Sequence, residues 1–158
     1  MIDQHTYKID ELLFHKKPML LLKQVASWDA HGLDVIVDPM DSANFFTPEG
    51  KLPSWVGIEY MAQAIGALSG IFSKQAGQPI SMGFLLGTRK FSVYQPFFDL
   101  DKLLKVRIKE IIRDETNLVL FDCAIYVDDV LIAHAELKAV QPPNLEEMFE
   151  AWGIKNNE

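Results

Sequence analysis

The sequence predicts an α+β fold in which an antiparallel sheet wraps one long central helix. Three observations lead there. Trp55 to Phe72 (WVGIEYMAQAIGALSGIF) is apolar or small on every side of a helix and carries one charge, Glu59. A helix that is apolar all round belongs in a core. The second half of the chain is a series of strand-like segments, clearest in Leu103–Ile112, where Leu104, Val106 and Ile108 alternate with Lys105, Arg107 and Lys109. That period of two gives one dry face and one wet face. Finally, 158 residues of which 49% are hydrophobic and 23% charged suit a single domain over 1–158 with a core that needs no staples.

The elements follow in order. Ile9 to Phe14 reads as a short helical turn, ended by His15-Lys16-Lys17-Pro18, because the residue before proline disfavours helix. Met19 to Val25 is a near-continuous apolar run and is expected to be a buried strand. Asp29-Ala30-His31-Gly32 is a turn, and Leu33–Val37 a second strand. Pro39 to Lys51 is expected to be irregular, with Pro53 opening the long helix at or near its first turn. Gly77 and Pro79 close that region. Phe84–Tyr94, Leu103–Ile112, Leu118–Val127 and Val130–Val140 then read as a four-strand meander, with Asp128-Asp129 as a tight hairpin turn. Asn144, Glu147 and the stripe Leu145, Met148, Phe149 and Trp152 predict a short amphipathic helix at about 144–152.

Composition removes several functions. A net charge of −7 argues against nucleic-acid binding and gives no attraction to an anionic membrane. Glu59 and Gln63 inside the apolar helix argue against a membrane span. With Cys123 alone, no internal disulfide forms and a reducing, cytoplasmic setting is expected. The amino terminus has acidic residues and no long apolar run, unlike a secretory signal. Four scattered histidines and one cysteine offer no metal-ligand spacing, so no metal and no cofactor are expected.

Chemistry concentrates on the helix. A lone carboxylate in a buried helix must be neutralised, paired or used. Gln63 lies one turn on, on the same face as Glu59, where it is able to orient that carboxylate, bind substrate or satisfy a core backbone group. The other candidates carry plainer alternatives. His15 sits between a helical turn and a proline, where it either acts as an acid or base or fixes the loop. His134 falls on the wet strand face with Glu136 and Lys138, as a surface histidine does. Cys123 and Tyr60 read as core residues, and Glu49 as an exposed loop carboxylate.

Three motifs make the chain similar to the hotdog-fold 3-hydroxyacyl-(acyl carrier protein) dehydratases. ELLFHKKPMLLLKQV resembles the family's amino-terminal signature at His15, Lys16, Pro18, Met19, Leu20 and Leu21. GIEYMAQAIGALSG resembles its Glu-x-Met-Ala-Gln helix at Glu59, Met61, Ala62 and Gln63. GFLLGTRKFSVYQPF resembles its strand and turn, with Gly87, Phe91 and Pro96 in place. The resemblance implies a hotdog fold and a homodimer or heterodimer of hotdog subunits with an acyl tunnel between them. It implies substrates that are fatty-acid- or polyketide-type acyl thioesters on acyl carrier protein or coenzyme A. It implies Glu59 as one catalytic group, with Gln63 and Gly87 binding substrate; His15 is the residue of this chain best placed to act as the second catalytic group. Removing water from a 3-hydroxyacyl thioester needs a base for the C2 proton and an acid for the leaving hydroxyl, tasks a carboxyl and an imidazole perform.

One feature departs from the family. Its catalytic histidine lies in a Gly-His-Phe-Pro-Gly loop before the helix, whereas the shorter loop here, Phe45 to Pro53 (FFTPEGKLP), has none. The alternatives to a dehydratase are therefore a non-catalytic hotdog partner subunit or acyl-binding protein, and an acyl thioesterase, since one fold hosts several chemistries.

Overall fold

A computed structural model describes residues 7–80, 83–140 and 153. The helix expected at 144–152 lies outside the described residues, as does His5. A 3-10 turn at Ile9–Glu11 precedes β1 (Gln24–Trp28) and β2 (Gly32–Val37). A second 3-10 turn, Pro39–Phe45, leads to β3 (Leu52–Pro53), a third at Ser54–Val56, and the helix α1 (Gly57–Gln75). The rest is β4 (Phe84–Val93), β5 (Phe97–Phe98), β6 (Leu104–Arg113), β7 (Leu118–Val127) and β8 (Val130–Val140).

Six strands form one antiparallel sheet in the order β1-β2-β6-β7-β8-β4, while β3 and β5 form a two-stranded ladder. The sheet wraps α1, whose Tyr60, Met61, Ala64, Ala67, Leu68 and Ile71 are buried against Val35, Val106, Ile108, Cys123, Ile125 and Leu137. This is the hotdog architecture, α+β as expected. The alternation in β6 appears as read: Leu104, Val106 and Ile108 are fully buried. Arg107, on the opposite face, makes a two-pronged pair with Asp34 of β2 at 3.0 and 3.1 Å. Asp128 and Asp129, at φ of 49° and 63°, turn the β7–β8 hairpin with the two left-handed residues that match strand twist.

Four expectations change. Met19–Lys23 is not a strand. Leu20, Leu21 and Leu22 are buried, but the backbone N–H groups of Met19 and Leu20 donate to the Lys16 carbonyl, and pairing with β2 begins only at Lys23. The run is apolar because it lies in the core, not because it joins the sheet. The last four strands are not a simple meander: β6 pairs with β2, and β4 lies at the edge beside β8. Strand periodicity states which face is buried but not which strand is the neighbour. The helix begins at Gly57, with Ser54–Val56 as a 3-10 turn before it, and continues to Gln75. Its entry is held by Leu52 and Pro53 of β3, paired with Phe98 and Phe97. Pro39–Lys51, expected to be irregular, is partly a 3-10 turn whose Asp38 Oδ1 accepts from Met40 N at 3.0 Å. No helix among the described residues is long and apolar enough to cross a membrane.

Candidate active site

The site is built where the amino-terminal segment crosses α1. Gly66 and Gly70 make the crossing close. A Cβ on Gly66 would sit 3.0 Å from Leu13 Cδ2, and one on Gly70 would run into the Leu12 carbonyl. With Leu12 and Leu13 pressed onto the helix, the chain turns through His15 and a cis Lys17–Pro18 bond and returns to Gln63. Gln63 is 1% exposed, and its amide is almost fully engaged. Oε1 accepts from Leu21 N at 3.0 Å. Nε2 donates to the Met19 carbonyl at 2.8 Å and to Glu59 Oε1 at 3.2 Å. Gln63 therefore performs two of the tasks open to it, satisfying the backbone of the returning segment and holding the carboxylate. Both of its N–H donors are given away in doing so.

Glu59 is half-buried in the first turn of α1, where the helix dipole favours a negative charge. No Lys, Arg or His among the described residues forms an ion pair with it. It lines a cavity of about 250 Å³ with mainly apolar walls. Glu59, Gln63 and Ser69 line it from α1, Leu13 and His15 from the amino-terminal segment, and Leu85, Arg113 and Phe121 from one end of the sheet. The structure thus brings Glu59, Gln63 and His15 onto one cavity, with His15 exposed at its rim. Gly87 lies on β4 opposite Lys138 and is not among the lining residues.

The remaining candidates lie elsewhere. Glu49 is exposed on the Thr47–Lys51 turn that replaces the longer loop. The Tyr60 hydroxyl is fully buried and shares a 2.6 Å hydrogen bond with Ser42 Oγ. Burial pushes its pKa up to about 12, which suits a core residue and not a proton donor at neutral pH. Burial likewise pushes the Cys123 thiol up, leaving it inert. His134 is a half-buried histidine of the outer sheet face, its Nε2 2.5 Å from Asp122 Oδ1.

Two lining residues escaped the sequence reading. Ser69 shares a helix face with Ala62 and Gly66, a spacing of three to four that was legible as a small-residue stripe beneath Glu59. Arg113 ends β6 and becomes a cavity residue only through the path of the sheet.

The chain matches the ApeP-like family, described as ApeP dehydratase, over residues 7–150. It is 28% identical over 135 residues to a 3-hydroxyacyl-[acyl-carrier-protein] dehydratase FabZ of Brucella ovis, covering 82% of this chain and 83% of that protein. Among solved structures it is similar to a chain of the dehydratase heterocomplex ApeI:P from Xenorhabdus doucetiae. The TM-score is 0.84 at 29% identity, over 94% of this chain and 99% of that one. A hypothetical thioesterase of Streptococcus pneumoniae with coenzyme A shares the fold alone, at 12% identity and a TM-score of 0.59 over 75% and 86% of the two chains. A carboxylate held by a Glu-x-Met-Ala-Gln helix at an apolar cavity therefore has its explanation in ancestry: the chain belongs to the ApeP-like dehydratase family.

Proposed function

We propose that this protein dehydrates 3-hydroxyacyl thioesters carried on an acyl carrier protein, with Glu59 and His15 as the titratable groups that meet substrate. The observation that carries this reading is the shared cavity. It joins one oriented carboxylate without an ion-pair partner among the described residues, one imidazole and mainly apolar walls. Elimination needs two proton movements. One group takes the C2 proton while the other delivers a proton to the C3 hydroxyl, which leaves as water with the C3–O electron pair. The electrons of the C2–H bond become the new C2–C3 double bond. Gln63 acts as a positioning residue, since its donors hold the Glu59 carboxylate and the segment behind His15. Gly87 is carried into the proposal by motif alone, as a contact made from the β4 edge once a second subunit is present.

A second observation favours assembly with another hotdog subunit. β4 is the last strand of the sheet, and its Leu85 is exposed while lining the cavity. A strand edge of this kind exposes unpaired backbone groups to a partner, and a partner there would also wall the cavity. The similarity to a chain of the dehydratase heterocomplex ApeI:P supports assembly with a second subunit.

The test offers 3-hydroxyacyl and enoyl carrier-protein thioesters to the purified protein, alone and with a second hotdog subunit. Enoyl formation and thiol release are both followed. Enoyl formation without thiol release is the expected result, and Glu59→Gln is expected to lower it by about 10²–10⁴. Thiol release instead would establish a thioesterase. Turnover only with the second subunit would make this chain the partner, and Glu59→Gln at full rate would remove Glu59 from the chemistry.

A further inference from the structure

The segment at the rim of the cavity is basic and apolar at once. Residues 14–19 are exposed throughout, with Phe14 at 58% and Met19 at 48%. Lys16 and Lys17 lie between those two apolar side chains. Among the described residues, Lys23, Lys90, Lys102, Arg107 and Arg113 each pair with a carboxylate, whereas Lys16 and Lys17 form no ion pair. No Asp or Glu occurs between Leu12 and Trp28, so this is a local positive patch on a chain of net charge −7.

The patch is held in place from below. Met19 N and Leu20 N both donate to the Lys16 carbonyl, at 2.8 and 3.1 Å. The Gln63 amide fixes the Met19 carbonyl and Leu21 N, and Leu12, Leu13, Leu20 and Leu21 are buried on either side. Consecutive Cα atoms are 3.8 Å apart, so both lysines stand within about 8 Å of the His15 Cα. His15 itself lines the cavity. A single exposed apolar residue needs no explanation. Two uncompensated charges flanked by exposed Phe14 and Met19, beside the cavity, combine the apolar contact and the charge that an interface uses.

We infer that residues 14–19 form the docking surface for the protein that delivers the acyl thioester. Its chemistry is that of an acidic carrier, which sets carboxylates against Lys16 and Lys17 and an apolar side chain against Phe14 and Met19. This deepens the proposed function and rests on the thioester entering the cavity beside His15. Charge favours a protein over an anionic membrane. Two lysines attract a small acidic patch, while a bilayer would also meet the excess acid of the surrounding surface. Complementary charge at such a rim speeds encounter and loses its effect as salt rises.

The test is a binding measurement, independent of turnover. Dodecanoyl acyl carrier protein, dodecanoyl-pantetheine and phosphatidylglycerol vesicles are titrated into the full-length protein by calorimetry. The carrier-borne chain is expected to bind more tightly than the pantetheine thioester, with an advantage that shrinks as salt is raised. Lys16→Glu with Lys17→Glu is expected to weaken carrier binding by about tenfold or more while leaving dodecanoyl-pantetheine unchanged. Lys105→Glu with Lys109→Glu makes the same charge change on the outer face of β6 and is expected to alter neither. Equal losses in the two double variants would assign the effect to net charge and overturn the inference. So would no carrier binding by the wild type, or carrier binding that survives reversal of Lys16 and Lys17. Vesicle binding in place of carrier binding would make the surface a membrane contact, and a lower sedimentation mass for Lys16→Glu with Lys17→Glu would make it a subunit contact; either overturns it. The dehydratase reading is judged separately by enoyl formation. Carrier binding that needs both lysines, without turnover, would leave this inference standing and sink that one.

Discussion

Gln63 is the residue on which the site turns. It replaces a water shell for three groups at once: the Leu21 N–H, the Met19 carbonyl and the Glu59 carboxylate. Gln63→Leu keeps the volume but strands the buried Leu21 N–H and removes a bond from the part-buried Met19 carbonyl, at a cost of about 1–3 kcal/mol. Urea denaturation should register that loss, and an unchanged midpoint would mean water substitutes for the amide. Tyr60 makes a residue-scale prediction about pH. Its folded pKa of about 12 exceeds the unfolded value of 10.0, so its contribution is complete below pH 10. Between pH 10 and 12 the unfolded chain ionises while the folded one holds its proton, and stability falls with rising pH by up to about 3 kcal/mol. Tyr60→Phe should flatten this alkaline decline while losing about 1–2 kcal/mol at neutral pH, because Ser42 is left unpaired. Melting curves from pH 8 to 11.5 would test both, and an identical alkaline slope in the variant would assign the decline to other groups.

Among the elements, α1 carries two tasks that constrain each other. Its apolar residues fill the sheet, so only its small-residue face remains for the amino-terminal segment and the cavity. Gly70→Ala places a Cβ against the Leu12 carbonyl, a backbone atom without freedom to move aside. The expected cost is about 1–3 kcal/mol. Gly87→Ala is the contrast, since nothing lies within 4 Å of its added Cβ, and its stability should change by no more than about 0.5 kcal/mol. Thermal melts of the two variants side by side check the claim. Equal shifts would show that the crossing at Gly70 is looser than described.

For the whole molecule, the sheet order decides what lies at the rim. β4 is an edge strand with Leu85 and Leu86 exposed at 43% and 49%. If that edge pairs with a second subunit, Leu86→Lys should convert the assembly to single chains in sedimentation velocity and lower turnover with it. An unchanged mass would place the interface elsewhere. The same topology explains why Leu85 and Arg113, 28 positions apart in the chain, line one cavity. β4 and β6 reach it from strands separated in the sheet by β7 and β8.

Much of this was legible before any coordinates. The helix, the alternation of β6 and the Asp128-Asp129 turn follow from local rules of period and dihedral preference. So does the Glu59–Gln63 contact, which is four residues on one helix. The motif resemblance named the fold family and pointed to His15, which does reach the Glu59 cavity. Tertiary structure alone decided the rest. It set which strand lies beside which, turned Met19–Lys23 from strand to core-lining segment, and gave Gln63 its partners more than 40 residues away. It also brought Ser69 and Arg113 to the same cavity. The physical reason is common to all four. Local periodicity records which side of an element is dry, while the identity of the neighbour depends on how the whole chain buries its one apolar helix.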